Sequence, residues 1–189
     1  MIKTGIFGGS FDPIHSGHIT LARTLLASAG LDEVWLMVSP QNPLKVGRRL
    51  QADGLRLAIA RIALHGVEGV RASGYELHLP RPSYTWHTLQ CLRRDFPDRE
   101  FTLLIGGDNW ANFGQWRNAA DIICEFPIVV YPREGASIDT ESLPSTVRVV
   151  STRLLPVSST MVRTRVAEGL SVCELVPPEI EKIVRRCYS

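Results

Sequence analysis

Apolar residues along this chain alternate between short continuous runs and helical spacing. The first run, Ile2 to Phe7, reads as a buried strand. A helix beginning near Gly17 follows, with Ile19, Ala22, Leu25, Leu26 and Ala29 on one face and Gly30 as its C-terminal stop. Glu33 to Val38 is a second strand, closed by Ser39-Pro40. Leu55, Ala58, Ile59, Ile62 and Ala63 mark the next helix. Val67 to Ser73 and Tyr75 to Leu79 read as short strands, and Ser83 as the cap of a helix running to about Phe96. Further strands are expected at Phe101 to Ile105, Ile128 to Tyr131 and Val147 to Val150. Thr160 to Glu168 reads as a helix closed by Gly169, and Pro177-Pro178 opens a terminal one.

This alternation, without internal repeats, predicts an α/β fold: a Rossmann-like, doubly wound, mostly parallel sheet with helices on both faces. The length of 189 residues suits a single domain, 1–189, with 175–189 as a C-terminal helical appendage. In such sheets ligands bind beyond the carboxyl ends of the strands, near the switch in strand order. The loops at Gly8, Lys45 and Gly106 all follow strands, so they are expected to share one rim.

Composition narrows the function classes. The net charge is +2, with 18 arginines and 3 lysines, and no basic run carries interleaved aromatics. No nucleic-acid partner is therefore expected. No apolar span approaches the roughly 20 residues of a membrane helix, and no signal peptide is read at the N-terminus. Cysteines at 91, 124, 173 and 187 lack metal-site spacing. Cys91 and Cys124 read as small core residues, and the thiols point to the cytoplasm.

The densest chemistry lies in Gly8-Gly9-Ser10-Phe11-Asp12-Pro13-Ile14-His15-Ser16-Gly17-His18. Glycines let backbone approach a ligand, and unpaired N–H groups at a helix start attract phosphate. His15 and His18 are candidate donors to phosphate oxygens; helix capping and a metal pair are the alternatives, and no third ligand motif lies nearby. A helix N-terminus lowers a histidine pKa, whereas bound polyphosphate raises it. Ser10 is either a phosphate donor or a turn serine, and Asp12-Pro13 a turn former. Ser158-Ser159-Thr160 opens a helix, and Arg163 one turn in suits a β/γ-phosphate, with simple N-capping as the alternative. Asp108 is a candidate acceptor for ribose hydroxyls or a helix cap. Lys45 is a candidate for an acceptor phosphate or a solvated charge. Neither a Walker A loop nor GxGxxG is present.

The first loop resembles the HxGH signature of the nucleotidyltransferase superfamily. Val157-Ser158-Ser159-Thr160-Met161-Val162-Arg163, about 140 residues on, resembles its ISSTxxR motif, with Val157 for Ile. Pro82-Ser83-Tyr84-Thr85-Trp86-His87-Thr88-Leu89 resembles the PSYTxxTL segment of bacterial nicotinate mononucleotide adenylyltransferases, and Gly107-Asp108 through Trp116 their GxDxxxxxxxW segment. Asn42-Pro43-Leu44-Lys45 and Arg133 also fit that pattern.

The resemblance implies adenylyl transfer from ATP to nicotinate mononucleotide in NAD biosynthesis. It implies His15 and His18 as catalytic donors. ATP contacts would come from Gly8, Gly9, Ser10, Phe11, Asp108, Ser158, Ser159, Thr160 and Arg163, and acceptor contacts from Lys45, Thr85, Trp116 and Arg133. Trp116 would stack on the pyridine ring, a role that suits an indole face, with a core aromatic as the alternative. Mg²⁺ would arrive bound to ATP, with no dedicated protein ligand. His87 stands where an acidic residue is expected, and Arg117 where relatives often carry an aromatic. Phosphopantetheine or nicotinamide mononucleotide as acceptor, or a non-catalytic nucleotide sensor, are the competing readings.

Overall fold

The computed structural model describes residues 1–40, 50–133, 135, 138–152 and 155–189. Lys45, a candidate acceptor contact, lies outside the described residues. The described residues form six strands: β1 (Ile2–Gly9), β2 (Glu33–Val38), β3 (Val70–Ser73), β4 (Arg99–Gly106), β5 (Ile128–Tyr131) and β6 (Val147–Val149). They form one sheet in the order β3-β2-β1-β4-β5-β6, and every pairing is parallel. The chain winds outward from β1 to β3, then returns to β4 and winds the other way. The switch point therefore lies between the carboxyl ends of β1 and β4, where Phe7 pairs with both Leu36 and Leu104.

Side chains alternate across this sheet and build two cores. Phe7, Leu36, Leu104 and Val129 face one side; Ile6, Trp35, Leu103 and Val130 face the other. Helices α1 (Ser16–Ser28), α2 (Asp53–Ala63), α6 (Ser159–Ala167) and α7 (Pro178–Tyr188) bury Leu25, Ile59, Val162 and Ile180 against the first face. Helices α3 (Thr85–Asp95) and α5 (Ala119–Glu125) bury Leu89 and Ile122 against the second, and the short α4 (Gly107–Ala111) extends β4. Gly30 and Gly169 have positive φ just beyond α1 and α6. Leu31 N–H returns to Leu26 O and Leu170 N–H to Arg165 O, the Schellman closure expected at both places.

Four expectations need correction. Tyr75 to Leu79 is not a strand; Tyr75–His78 is a 3₁₀ turn held by Leu77 N–H to Gly74 O. β3 ends the sheet just before it, so extended backbone there would find no further strand to follow. Ser83 does not cap α3: the N-cap is Tyr84, without a side-chain bond, and Ser83 is buried beside the cleft. On α2 the buried residues are Arg56, Ile59, Ala60 and Ala63, which leaves Ile62 exposed. Cys124 is exposed because it sits two residues from buried Ile122, on the opposite side of α5; Cys91 is buried as expected.

Candidate active site

The carboxyl ends of β1 and β4 open into a cleft of about 390 Å³. One wall is the loop from β1 to α1. Gly8, Gly9, Ser10, Phe11, His15 and His18 all line it. Phe11 has φ 44°, in the left-handed region, and is buried with its ring edge-on to Phe7 at 5.8 Å and to His18 at 4.9 Å. That ring fills the space beside Gly9, where a Cβ would come within 2.9 Å of it. Gly17 is required for a similar reason: a Cβ there would lie 3.0 Å from Nδ1 of His15.

The two histidine rings stack with centroids 3.6 Å apart. Burial lowers the His15 pKa to about 4, and the nearby Arg133 charge adds to the effect. Burial, then His15, then Arg133 hold His18 well below the ordinary histidine range. Both imidazoles are thus neutral at pH 7 in the free protein. His15 N–H donates to Nδ1 of His18 at 3.3 Å. That bond makes Nδ1 the acceptor, so the neutral His18 ring carries its proton on Nε2.

The second motif docks onto the same loop. Ser158 N-caps α6, its hydroxyl accepting from Met161 N–H at 3.1 Å. The Ser159 hydroxyl donates to Pro13 O at 2.9 Å, and Arg163 Nη1 donates to Asp12 O at 2.6 Å. Ser158 and Ser159 line the cleft. Thr160 and Arg163 do not; Arg163 Nη2 donates to the Thr160 hydroxyl at 3.0 Å, and the pair braces the loop from behind. Segments some 140 residues apart in sequence are therefore joined by two hydrogen bonds at the cleft wall.

Asp108 and Arg133 stand together, 3.8 Å apart, beside the histidines and over Gly106. A Cβ at Gly106 would lie 2.8 Å from Cγ of Arg133, so the glycine makes room for this pair. At the other end Thr85 opens α3, and Trp116 leans on Phe113 at 5.0 Å, which stacks in turn on Trp110 at 5.2 Å. The Trp116 indole N–H is buried and has no partner among the described residues. His87 does not line the cleft; it is exposed and contacts Cys91 Sγ at 3.5 Å.

Three contributors escaped the reading of the sequence. Arg56 is completely buried. Its guanidinium donates to Ser10 O, to Ser39 O at 2.9 Å and to Gln51 O at 2.9 Å, and pairs with Asp53 at 2.5 Å. It ties the β1 loop to the end of β2. Its signal was available, since 56, 59, 60 and 63 is one helical stripe, with an arginine where a hydrophobe is usual. Glu76 lines the cleft and accepts from the Thr88 hydroxyl at 2.8 Å. Burial pushes its carboxyl above the ordinary range, against the opposing hydrogen bonds. Asp12 is buried, and its carboxylate accepts from the Tyr188 hydroxyl at 2.8 Å and from Gln51 N–H at 3.3 Å.

A neutral donor pair, a glycine-walled crevice at a parallel switch point and a capped helix start are the parts of a nucleotidyltransferase. Residues 6–165 match the family described as cytidylyltransferase-like, and the chain belongs to that family. Its curated relatives are more specific. A probable nicotinate-nucleotide adenylyltransferase of Bacteroides fragilis is 47% identical over 95% of this chain and 90% of its own length. A protein of the same description from Bacteroides thetaiotaomicron is 46% identical over 97% of this chain and 91% of its own length. The fold is also similar to that of a Plasmodium falciparum nicotinic acid mononucleotide adenylyltransferase complexed with NaAD. That match has a TM-score of 0.78 at 18% identity and covers 97% of this chain and 96% of the other.

Proposed function

We propose that this chain transfers the adenylyl group of ATP to nicotinate mononucleotide, releasing pyrophosphate and nicotinate adenine dinucleotide. The observation that carries the reading is the attachment of the Ser159 and Arg163 segment to the histidine loop beside one cleft. A triphosphate in that cleft meets the histidines, the β1 loop backbone and the start of α6 together. The names of the Bacteroides relatives support the choice of acceptor.

The acceptor phosphate is already ionised, so no general base is needed. One of its oxygens attacks the α-phosphorus, the bond to the bridging β-phosphate oxygen breaks, and pyrophosphate leaves with that electron pair. The protein aligns the two anions and stabilises charge on the phosphates. Neutral His15 and His18 suit this role, because each keeps one N–H donor while burial disfavours the charged form. His18 Nε2–H is the better defined donor, its tautomer fixed by the His15 N–H bond. In this reading Asp108 takes ribose hydroxyls, Trp116 and Thr85 take the pyridine end, and the nucleotide enters as the Mg²⁺ complex. All four cysteines are free, which supports a reducing compartment, the cytoplasm.

The test supplies ATP and Mg²⁺ with nicotinate mononucleotide, nicotinamide mononucleotide or phosphopantetheine in parallel and follows pyrophosphate. Release is expected with nicotinate mononucleotide, matched by an equal amount of dinucleotide. Release with phosphopantetheine alone overturns the acceptor. No release with any of the three favours a nucleotide-binding sensor.

A further inference from the structure

Among the described residues two arginines, Arg117 and Arg133, line the cleft, and their surroundings differ. Arg133 is already held by Asp108 at 3.8 Å and lies over the Tyr131 ring. Arg117 forms no ion pair or hydrogen bond among the described residues; its guanidinium sits 4.9 Å from the centroid of the Tyr84 ring. Both residues line the cleft. Their stacking joins the Tyr84-Thr85 step at the start of α3 to the Trp116-Arg117 step after the turn Phe113–Gln115. The same cleft receives the start of α3, an 11-residue helix whose first N–H groups have no side-chain cap.

We propose that Arg117 is a specificity-determining residue, its guanidinium binding the carboxylate of a nicotinate acceptor and setting the preference for acid over amide. The inference rests on the acceptor reading given above. The two acceptors differ in one group, a carboxylate against a neutral carboxamide. A planar guanidinium donates two parallel N–H bonds to a carboxylate and adds full charge attraction, whereas an amide offers one acceptor oxygen and no charge. Trp116 supplies the platform for the ring and Arg117 is the next residue, so ring and substituent are read from one short segment. Glu76 and Asp108 both line the cleft, and an anionic acceptor entering it needs a positive partner that Asp108 does not already occupy. Tyr84 is a positioning residue, holding the guanidinium at the cleft before substrate arrives.

The experiment measures kcat and KM with each mononucleotide for wild type, Arg117→Gln and Arg117→Lys. For Arg117→Gln, KM for the acid is expected to rise at least tenfold, about 1.4 kcal/mol, with kcat falling less than threefold. The amide changes much less, so the acid-to-amide ratio of kcat/KM drops about as far as KM rises. Arg117→Lys keeps the charge, loses the fork, and falls between. In wild type, KM for the acid rises with added salt; in Arg117→Gln it rises less. Equal losses with both acceptors, or an unchanged ratio, overturn the proposal. Trp116 quenching by each mononucleotide reads the same ratio as binding. The role of Arg117 is thus decided even if turnover shows that another acceptor is the true one.

Discussion

The buried histidines make the stability of the fold depend on pH in a direction that can be worked out. His15 has an ordinary pKa of 6.5 when unfolded and about 4 in the fold, mainly because it is buried. Between those values the unfolded chain binds a proton that the native state refuses, so stability rises with pH across the window and is lost as pH falls. At pH 7 this costs about 0.2 kcal/mol, and at pH 5 about 2 kcal/mol, for His15 alone. His18 is displaced in the same direction and steepens the loss. Urea unfolding at pH 7 and pH 5 measures the difference. His15→Asn, which carries no charge at either pH, is expected to remove about 2 kcal/mol of the wild-type drop. Its absolute stability at pH 7 will also fall, because the stacked ring is gone, so the slope and not the level is the readout. An identical slope in wild type and His15→Asn would refute the claim that this ring is held neutral by burial.

Three further outcomes are expected. His18→Ala should lose about 10²- to 10³-fold in kcat while its thermal midpoint moves little, the signature of a donor that acts on charge in the transition state; normal turnover removes the assignment. Gly17→Ala should lower kcat by tenfold or more, because its methyl would press on a His15 ring only 3.0 Å away; circular dichroism distinguishes this from unfolding. Arg56→Met should destabilise by about 3 kcal/mol, since Ser10 and Ser39 carbonyls and the Asp53 carboxylate lose their buried donor; chemical denaturation showing less than 1 kcal/mol would sink that account.

Elements with strong periodicity or firm punctuation were legible in the chain. Glu33–Val38 and Ile128–Tyr131 fall at the strand boundaries expected, and the stops at Gly30 and Gly169 stand where α1 and α6 end. The meeting of the loops after Gly8 and Gly106 was legible too, because each follows a strand and the sheet is parallel. What stayed hidden depends on long-range packing. The alternation in Tyr75–Leu79 reads as a strand, yet Glu76 turns inward to meet Thr88, twelve residues later. The sequence offers Arg163 for a phosphate contact, and the fold also engages it with the Asp12 carbonyl and the Thr160 hydroxyl. A guanidinium at a helix start suits either role, and only the fold shows which carbonyl lies beneath it.

The histidine loop has no regular structure of its own, so its shape must be imposed from outside. Arg56 grips Ser10 O, Arg163 grips Asp12 O, and Ser159 grips Pro13 O. Ser16 N–H and its hydroxyl both reach Leu175 O, at 2.8 and 3.0 Å. Tyr188, near the end of α7, donates to the Asp12 carboxylate; burial and that carboxylate push its phenol pKa up, so the donor keeps its proton. Gln51 adds a link from α2's approach to Cys187 O at 2.7 Å. Anchors from α2, α6 and 175–188 thus converge on residues 10–16. A reaction that runs on alignment, with no base to compensate for a loose fit, depends on such anchoring. The carboxylate of Asp12 is itself part of this anchoring, accepting from the Tyr188 hydroxyl and from Gln51 N–H. The terminal helix is then part of how the loop is held, its last turn reaching Asp12 through the Tyr188 hydroxyl and Gln51 through the Cys187 carbonyl.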